Sequence, residues 1–145
     1  MKKTISIITF LILIITFIFT VNVYAASLDA IDIKTDKQIV KPGENVTISV
    51  NFGEDLGTYT VKIAYDNNIF EYVSVDGGTA NDTTDKVNVV FHDDTGGTNP
   101  RNNMSVTFKA KDNITTSNPT EFTITAEGLA NADASVTYDD ILTPI

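Results

Sequence analysis

From Asn45 onward, apolar and polar residues alternate along most of the chain. Val46, Ile48, Val50 and Phe52 interleave with Thr47, Ser49 and Asn51. Val61, Ile63 and Tyr65 interleave with Thr60, Lys62 and Ala64. Met104, Val106, Phe108 and Ala110 do the same with Ser105, Thr107 and Lys109, as do Phe122, Ile124 and Ala126 with Thr123, Thr125 and Glu127. A period of two sends successive side chains to opposite faces of an extended backbone, so each run predicts a half-buried β-strand. Turn signals separate the runs: Lys41-Pro42-Gly43-Glu44, Gly53-Glu54-Asp55, Asp66-Asn67-Asn68, Asp76-Gly77-Gly78, Thr95-Gly96-Gly97-Thr98-Asn99-Pro100 and Ser117-Asn118-Pro119. Many short strands at this spacing predict an all-β fold, a jelly-roll or immunoglobulin-like β-sandwich of about eight to nine strands. The expected strands lie near 28–33, 45–52, 58–65, 69–75, 86–92, 104–111, 121–127 and 134–138. The polar segment Thr79 to Asp85 reads as loop. In the stretch from Ile69 to Val75, Ile69, Val73 and Val75 share one face and Phe70 and Tyr72 the other. Two apolar faces predict a central strand covered on both sides, or a strand at a sheet corner.

The first residues follow a different pattern. Lys2-Lys3 precedes a nearly pure apolar run from Ile5 to Phe19, and Val23-Tyr24-Ala25 supplies residues that a signal peptidase reads. At about 15–17 residues the run is short for a membrane span, which needs roughly 20. It predicts a secretory signal peptide over 1–25, cleaved after Ala25 or Ala26, and one domain over 26–145. Export implies a secreted or cell-surface protein. Cysteine is absent, so burial alone must hold the fold, and thiolate metal sites and thiol chemistry are excluded. Loss of Lys2 and Lys3 with the leader takes the formal charge from −9 to −11. A surface this acidic repels phosphate backbones and suits basic partners or divalent cations.

No catalytic constellation emerges. The single histidine, His92, lacks the neighbouring groups that base catalysis requires. No nucleophile elbow or phosphate-binding loop is present. Asp93-Asp94, Asp139-Asp140 and Asp66-Asn67-Asn68 offer oxygen donors, but none has the spacing of a calcium loop. Solvated turn residues are the simpler reading, and neither a metal nor a cofactor is expected. Sugar binding normally uses a row of exposed rings. Without tryptophan, the mature chain has only Tyr59, Tyr65, Tyr72 and Tyr138, and Tyr65 lies on an apolar face.

The stretch "AYDNNIFEYVSVDGG", Ala64 to Gly78, resembles a segment of the cohesin domain family. There a strand ends in Tyr-Asp, a short turn follows, and the next strand opens with an apolar-Glu run and closes at glycine. Tyr65, Asp66, Asn68, Phe70, Glu71, Val75 and Gly77 fit that frame. "KPGENVTISVNF" (Lys41 to Phe52), "KVNVVFHDDTGG" (Lys86 to Gly97) and "MSVTFKAK" (Met104 to Lys111) resemble further family strands in the same order. The resemblance implies a jelly-roll related to bacterial carbohydrate-binding modules. It also implies a non-catalytic role, docking dockerin-bearing enzymes of polysaccharide degradation. Enzyme-docking cohesins tend to carry Asn-x-Asp at the start of the strand that ends in Tyr-Asp; here those positions are Thr58 and Thr60.

These readings predict a partner-binding face made of Thr58, Thr60, Lys62, Asn88, Val90 and His92, with Asp93 and Asp94 at its rim. The expected partner is a dockerin-like domain. A carbohydrate-binding or adhesin module, with polysaccharide as ligand, and a structural spacer of a surface protein are the alternatives.

Overall fold

The computed structural model describes residues 28, 31–114 and 120–145. The expected signal peptide over 1–25 and the Ser117-Asn118-Pro119 turn lie outside the described residues. The described residues form eight strands: β1 (Asp32–Thr35), β2 (Asn45–Ala64), β3 (Phe70–Asp76), β4 (Thr79–Asp82), β5 (Lys86–His92), β6 (Arg101–Ala110), β7 (Thr123–Asn131) and β8 (Ile141–Pro144). Every pairing is antiparallel.

The 20-residue strand β2 organises the molecule. Its first half pairs with β1 and β6, and β6 pairs with β3. Its second half pairs with β5 and β7, which carry β4 and β8 in turn. Two layers, β1–β2–β6–β3 and β4–β5–β2–β7–β8, therefore share one long strand and close over a common core. The change of layer occurs where the β2–β6 register shifts between Asn51 and Leu56. Gly53 there has φ of 75°, and its N–H donates to Asn51 Oδ1 at 2.9 Å. The expected break at Gly53-Glu54-Asp55 is thus a bend within one strand. Glycine supplies the left-handed backbone, and pairing resumes on the other side.

The inward sets of the alternating runs meet in the core. Val46, Ile48, Phe52, Leu56, Tyr59, Val61, Ile63, Val87, Val89, Val106, Phe108 and Ile124 are all essentially inaccessible. Rings bridge the layers: Phe70 and Phe108 lie 4.9 and 5.1 Å from Phe122, and Tyr65 lies 4.8 Å from Phe108. Each fully buried side chain of this size contributes about 1.5–3 kcal/mol of transfer free energy.

Four expectations need correction. Strand β3 is an edge strand paired only with β6, and is not central. The β3–β6 register shifts between Tyr72 and Ser74, leaving Val73 as an exposed bulge residue. One extra residue inverts the phase of alternation, so Phe70 and Tyr72 point inward before the bulge and Val75 after it. Second, Thr79–Asp82 of the expected loop forms β4, an edge strand whose Ala80 alone turns to the core. Third, 134–138 forms no continuous strand: Ala134, at φ of 56°, and Ser135 lie in a bend, and pairing is limited to bridge residues, with Thr137 opposite Ala130. The last strand instead forms at Ile141–Pro144. Finally, the first strand starts at Asp32, later than expected.

The Asp66-Asn67-Asn68 knot is a turn. Asp66 Oδ1 accepts from the N–H and Nδ2 of Asn68, both at 2.9 Å, and Asp66 O accepts from the N–H groups of Ile69 and Phe70. A carboxylate engaged by its own turn is the ordinary behaviour of aspartate at this position.

Candidate partner-binding face

Because Tyr59, Val61 and Ile63 point into the core, Thr58, Thr60 and Lys62 must point outward from β2. Val87 and Val89 fix the direction of β5 in the same way, sending Asn88, Val90 and His92 out. The register then joins the two sets as three directly opposed pairs: Thr58 with His92, Thr60 with Val90, and Lys62 with Asn88. The six strand residues expected at the face therefore form one contiguous patch.

The individual environments differ. Thr58 Oγ1 donates to the Phe91 carbonyl at 3.1 Å, which pins its hydroxyl to the ladder. Val90 keeps 48% of its surface exposed. His92 Nε2 lies 3.7 Å from Asp94 Oδ1, and both side chains stand in solvent. Asn88 Oδ1 is the one covered side-chain acceptor without a hydrogen-bond partner among the described residues. Asp93 turns its carboxylate into its own loop, accepting from Thr95 N–H and Asn99 N–H at 2.9 Å and from Thr95 Oγ1. The Thr95 hydroxyl bond, followed by the backbone donors, lowers the Asp93 pKa below the ordinary aspartate value. Of the two rim acids, Asp94 projects and Asp93 shapes the loop that carries it.

The sheet adds residues that the sequence left unassigned. Strand β7 places Glu127 opposite Thr60 and Thr125 opposite Lys62. Lys62 Nζ and Glu127 Oε1 form an ion pair at 2.5 Å across the middle of the face. Strand β4 adds Thr79 opposite Val90 and Asn81 opposite Asn88. Strand β8 adds Leu142 opposite Thr125, with 70% of its surface exposed. The outward set of β7 was visible as alternation; its neighbour in the sheet was not.

Among the described residues, neither an aromatic platform nor a metal cluster competes with this face. Tyr59 is fully buried, Tyr65 and Tyr138 nearly so, and Tyr72 packs against the core, so the tyrosines form no exposed platform. Among the described residues, no cluster of acids and histidine is arranged to hold a metal ion.

The cohesin domain model matches residues 30–141 of this chain. No curated protein matches it. Among solved structures, the sixth cohesin of Acetivibrio cellulolyticus scaffoldin B, in complex with a dockerin, aligns with a TM-score of 0.55 at 18% identity, covering 78% of this chain and 96% of that one. A type I cohesin–dockerin complex from Clostridium thermocellum aligns with a TM-score of 0.53 at 14% identity over 79% and 97% of the two chains. The N-terminal domain of a Streptococcus gordonii adhesin aligns with a TM-score of 0.60 at 13% identity, over 83% of this chain and 32% of that one. At these identities the structural likeness speaks to the shared sandwich. The family match spans nearly all of the described residues: the chain belongs to the cohesin domain family, whose members are non-catalytic binding modules.

Proposed function

We propose that this protein acts outside the cell as a docking module, and that the β4–β5–β2–β7 face binds a dockerin domain. The observation that carries this reading is the register of β2 against β5. It assembles Thr58, Thr60, Lys62, Asn88, Val90 and His92 into one open patch of mixed polarity, the composition of a protein-binding surface. Asp94 extends the patch at the His92 end, on the loop that Asp93 braces. The dockerin partner is carried over from the cohesin–dockerin complexes among the structural relatives. The apolar leader supports export. A sugar-binding role on this fold lacks the exposed rings on which sugar faces stack.

The test is a binding screen of the purified protein against the dockerins of the source genome, with a face variant alongside. Wild-type binding that is lost in Val90→Asp, with the melting curve preserved, supports the reading. Failure of the folded protein to bind any dockerin removes it.

A further inference from the structure

The core is sealed along most of its length, where the inward side chains of β2, β5 and β6 are essentially inaccessible. One end differs. Where β2 begins and β8 ends, the two layers part over a cleft of about 800 Å3. Phe70 and Phe122 line it from opposite layers, with ring centroids 4.9 Å apart. Val40, Ile69, Ile114 and Ile145 also line it, and each is only partly buried. Ile39, on the segment that joins β1 to β2, adds a side chain 83% exposed, the most exposed large apolar residue among those described. Apolar surface that the fold covers elsewhere is thus left wet around one concavity. Its size and lining are those of a small-molecule site. It shares no residue with the Val90 face.

The charged residues of the lining fix the head group of an occupant. Among the described residues they are Lys37 and Lys41, with no carboxylate. That inverts the balance of a chain whose formal charge is −9. Lys37 is already engaged: its Nζ donates to the Asn45 carbonyl at 2.8 Å and lies 3.9 Å from Glu44 Oε2. The Lys41 ammonium has no acceptor among the described residues, although its backbone is braced. Lys41 N–H donates to Glu44 Oε2 at 3.2 Å, and its carbonyl accepts from Glu44 N–H at 3.0 Å. Gly43 N–H then ties the turn to the Ala110 carbonyl at 2.9 Å. The nearby acids are turned to other work. Asp36 accepts from Thr47 N–H, and Asp112 lies 3.6 Å from Lys109. Glu121 is exposed beside Phe122 and is not among the lining residues. A lysine keeps its stem on apolar surface and its charge in water, so Lys41 can meet an anion at the mouth while an apolar body fills the cleft.

We propose that this cleft binds a small monoanionic amphiphile, an aliphatic carboxylate. Its chain lies among Phe70, Phe122 and the partly buried isoleucines, its carboxylate meets the Lys41 ammonium, and Ile39 is covered by the bound chain. One unpaired ammonium matches one negative charge, whereas a second charge on the ligand would face the acidic surface without a partner. The site is separate from the docking face, and its occupancy does not depend on a dockerin.

The test titrates the purified 15N-labelled protein with acetate, hexanoate, octanoate and decanoate, each below its micelle concentration. Saturable shifts are expected at Ile39, Ile69, Phe70, Ile114 and Phe122. Affinity should rise about fourfold per methylene from hexanoate to decanoate, with no binding of acetate. Decyltrimethylammonium carries a chain of similar length with the opposite charge, and it should bind about fivefold or more weakly than decanoate. Lys41→Gln should lower octanoate affinity about fivefold and leave octanol affinity unchanged, a split that a purely structural lysine would not produce. Ile39→Ser should weaken both ligands, and both variants should keep the wild-type melting curve. Absence of saturable shifts, equal affinity for the two charged ligands, or shifts centred on Val90 and Leu142 overturns the proposal. Pelleting of the protein with phosphatidylglycerol vesicles, without saturable decanoate binding, also overturns it and assigns Ile39 and the two lysines to a membrane surface.

Discussion

The hydroxyl of Tyr59, at the centre of the core, donates its hydrogen bond to the backbone carbonyl of Gly77. Tyr59 belongs to the strand at the middle of the proposed docking layer, and Gly77 to the turn joining β3 to β4. One phenol therefore ties the two layers together behind the face. Its ring also packs 4.7 Å from Phe52 and 5.1 Å from Phe91, so it is both a packing element and a tether.

The tether can be separated from the packing. Tyr59→Phe keeps the ring and strands the Gly77 carbonyl without its donor, at a cost of about 1–3 kcal/mol. Tyr59→Ala also opens a cavity, and about 3–5 kcal/mol is expected. Urea unfolding of the two variants should place the phenylalanine protein between wild type and the alanine protein. A phenylalanine variant as stable as wild type would show that the hydroxyl contributes nothing.

The other end of the tether is equally specific. Gly77 has φ of 94°, and a Cβ there would lie 2.9 Å from Met104 Cα and from the Asn103 carbonyl oxygen. The left-handed backbone alone costs an L-residue about 1–2 kcal/mol, and the clash is with backbone that cannot swing away. Gly77→Ala is expected to lower stability more than Tyr59→Phe. Equal melting temperatures for Gly77→Ala and wild type would contradict this account of the turn.

These residues also mark how far the sequence was legible. Alternation carried forward from Val46 to Phe52 does not reach Tyr59, because the inward set passes from even to odd positions between Leu56 and Tyr59, where the β2–β7 register shifts. The core-facing sets of β2, β5, β6 and β7 were readable, since each strand buries one face and exposes the other. Strands β4 and β8 were not, because edge strands bury little: β4 gives Ala80 to the core and β8 leaves Leu142 in solvent. Their pairing comes from neighbours, which a period-two pattern does not encode. The same limit applies to the candidate face. Thr58, Thr60, Lys62, Asn88, Val90 and His92 followed from alternation and resemblance, whereas Glu127 and Leu142 needed the strand order.

Three tyrosines give the protein an alkaline limit. Burial pushes Tyr59 up to about 12, partly offset by Arg101. Burial and then the hydrogen bond to Asp82 bring Tyr65 to about 12. For Tyr138, the hydrogen bond to Glu54 is the larger cause and burial the second, again giving about 12. A phenol whose folded pKa exceeds the unfolded value of about 10 binds its proton more tightly in the folded state. Its contribution is complete below pH 10 and is lost as pH rises through the folded value. Unfolding free energy measured across pH 8–12 should be flat to about 10 and then fall. Tyr59→Phe should fall less steeply, and an unchanged slope would remove Tyr59 from the set.

Thr58 and Thr60 provide the sharpest test of how this member differs from enzyme-docking cohesins. They occupy the outward positions of β2 where those cohesins tend to show Asn and Asp, and they pair with His92 and Val90. The double substitution Thr58→Asn, Thr60→Asp restores that pattern. Its cost is local: an aspartate at 60 stands directly opposite Glu127, and like charges so placed destabilise a ladder by about 0.2–1 kcal/mol. Lys62, already paired with Glu127, sits two residues along β2 and can share its charge between the two acids. The variant is therefore expected to melt slightly below wild type, with a smaller difference at high salt. Screened against dockerins that recognise the Asn-x-Asp pattern, it should gain partners that the wild type does not bind. A folded double variant that gains none would mean that residues beyond 58 and 60, with Glu127 and Leu142 foremost, set the choice of partner.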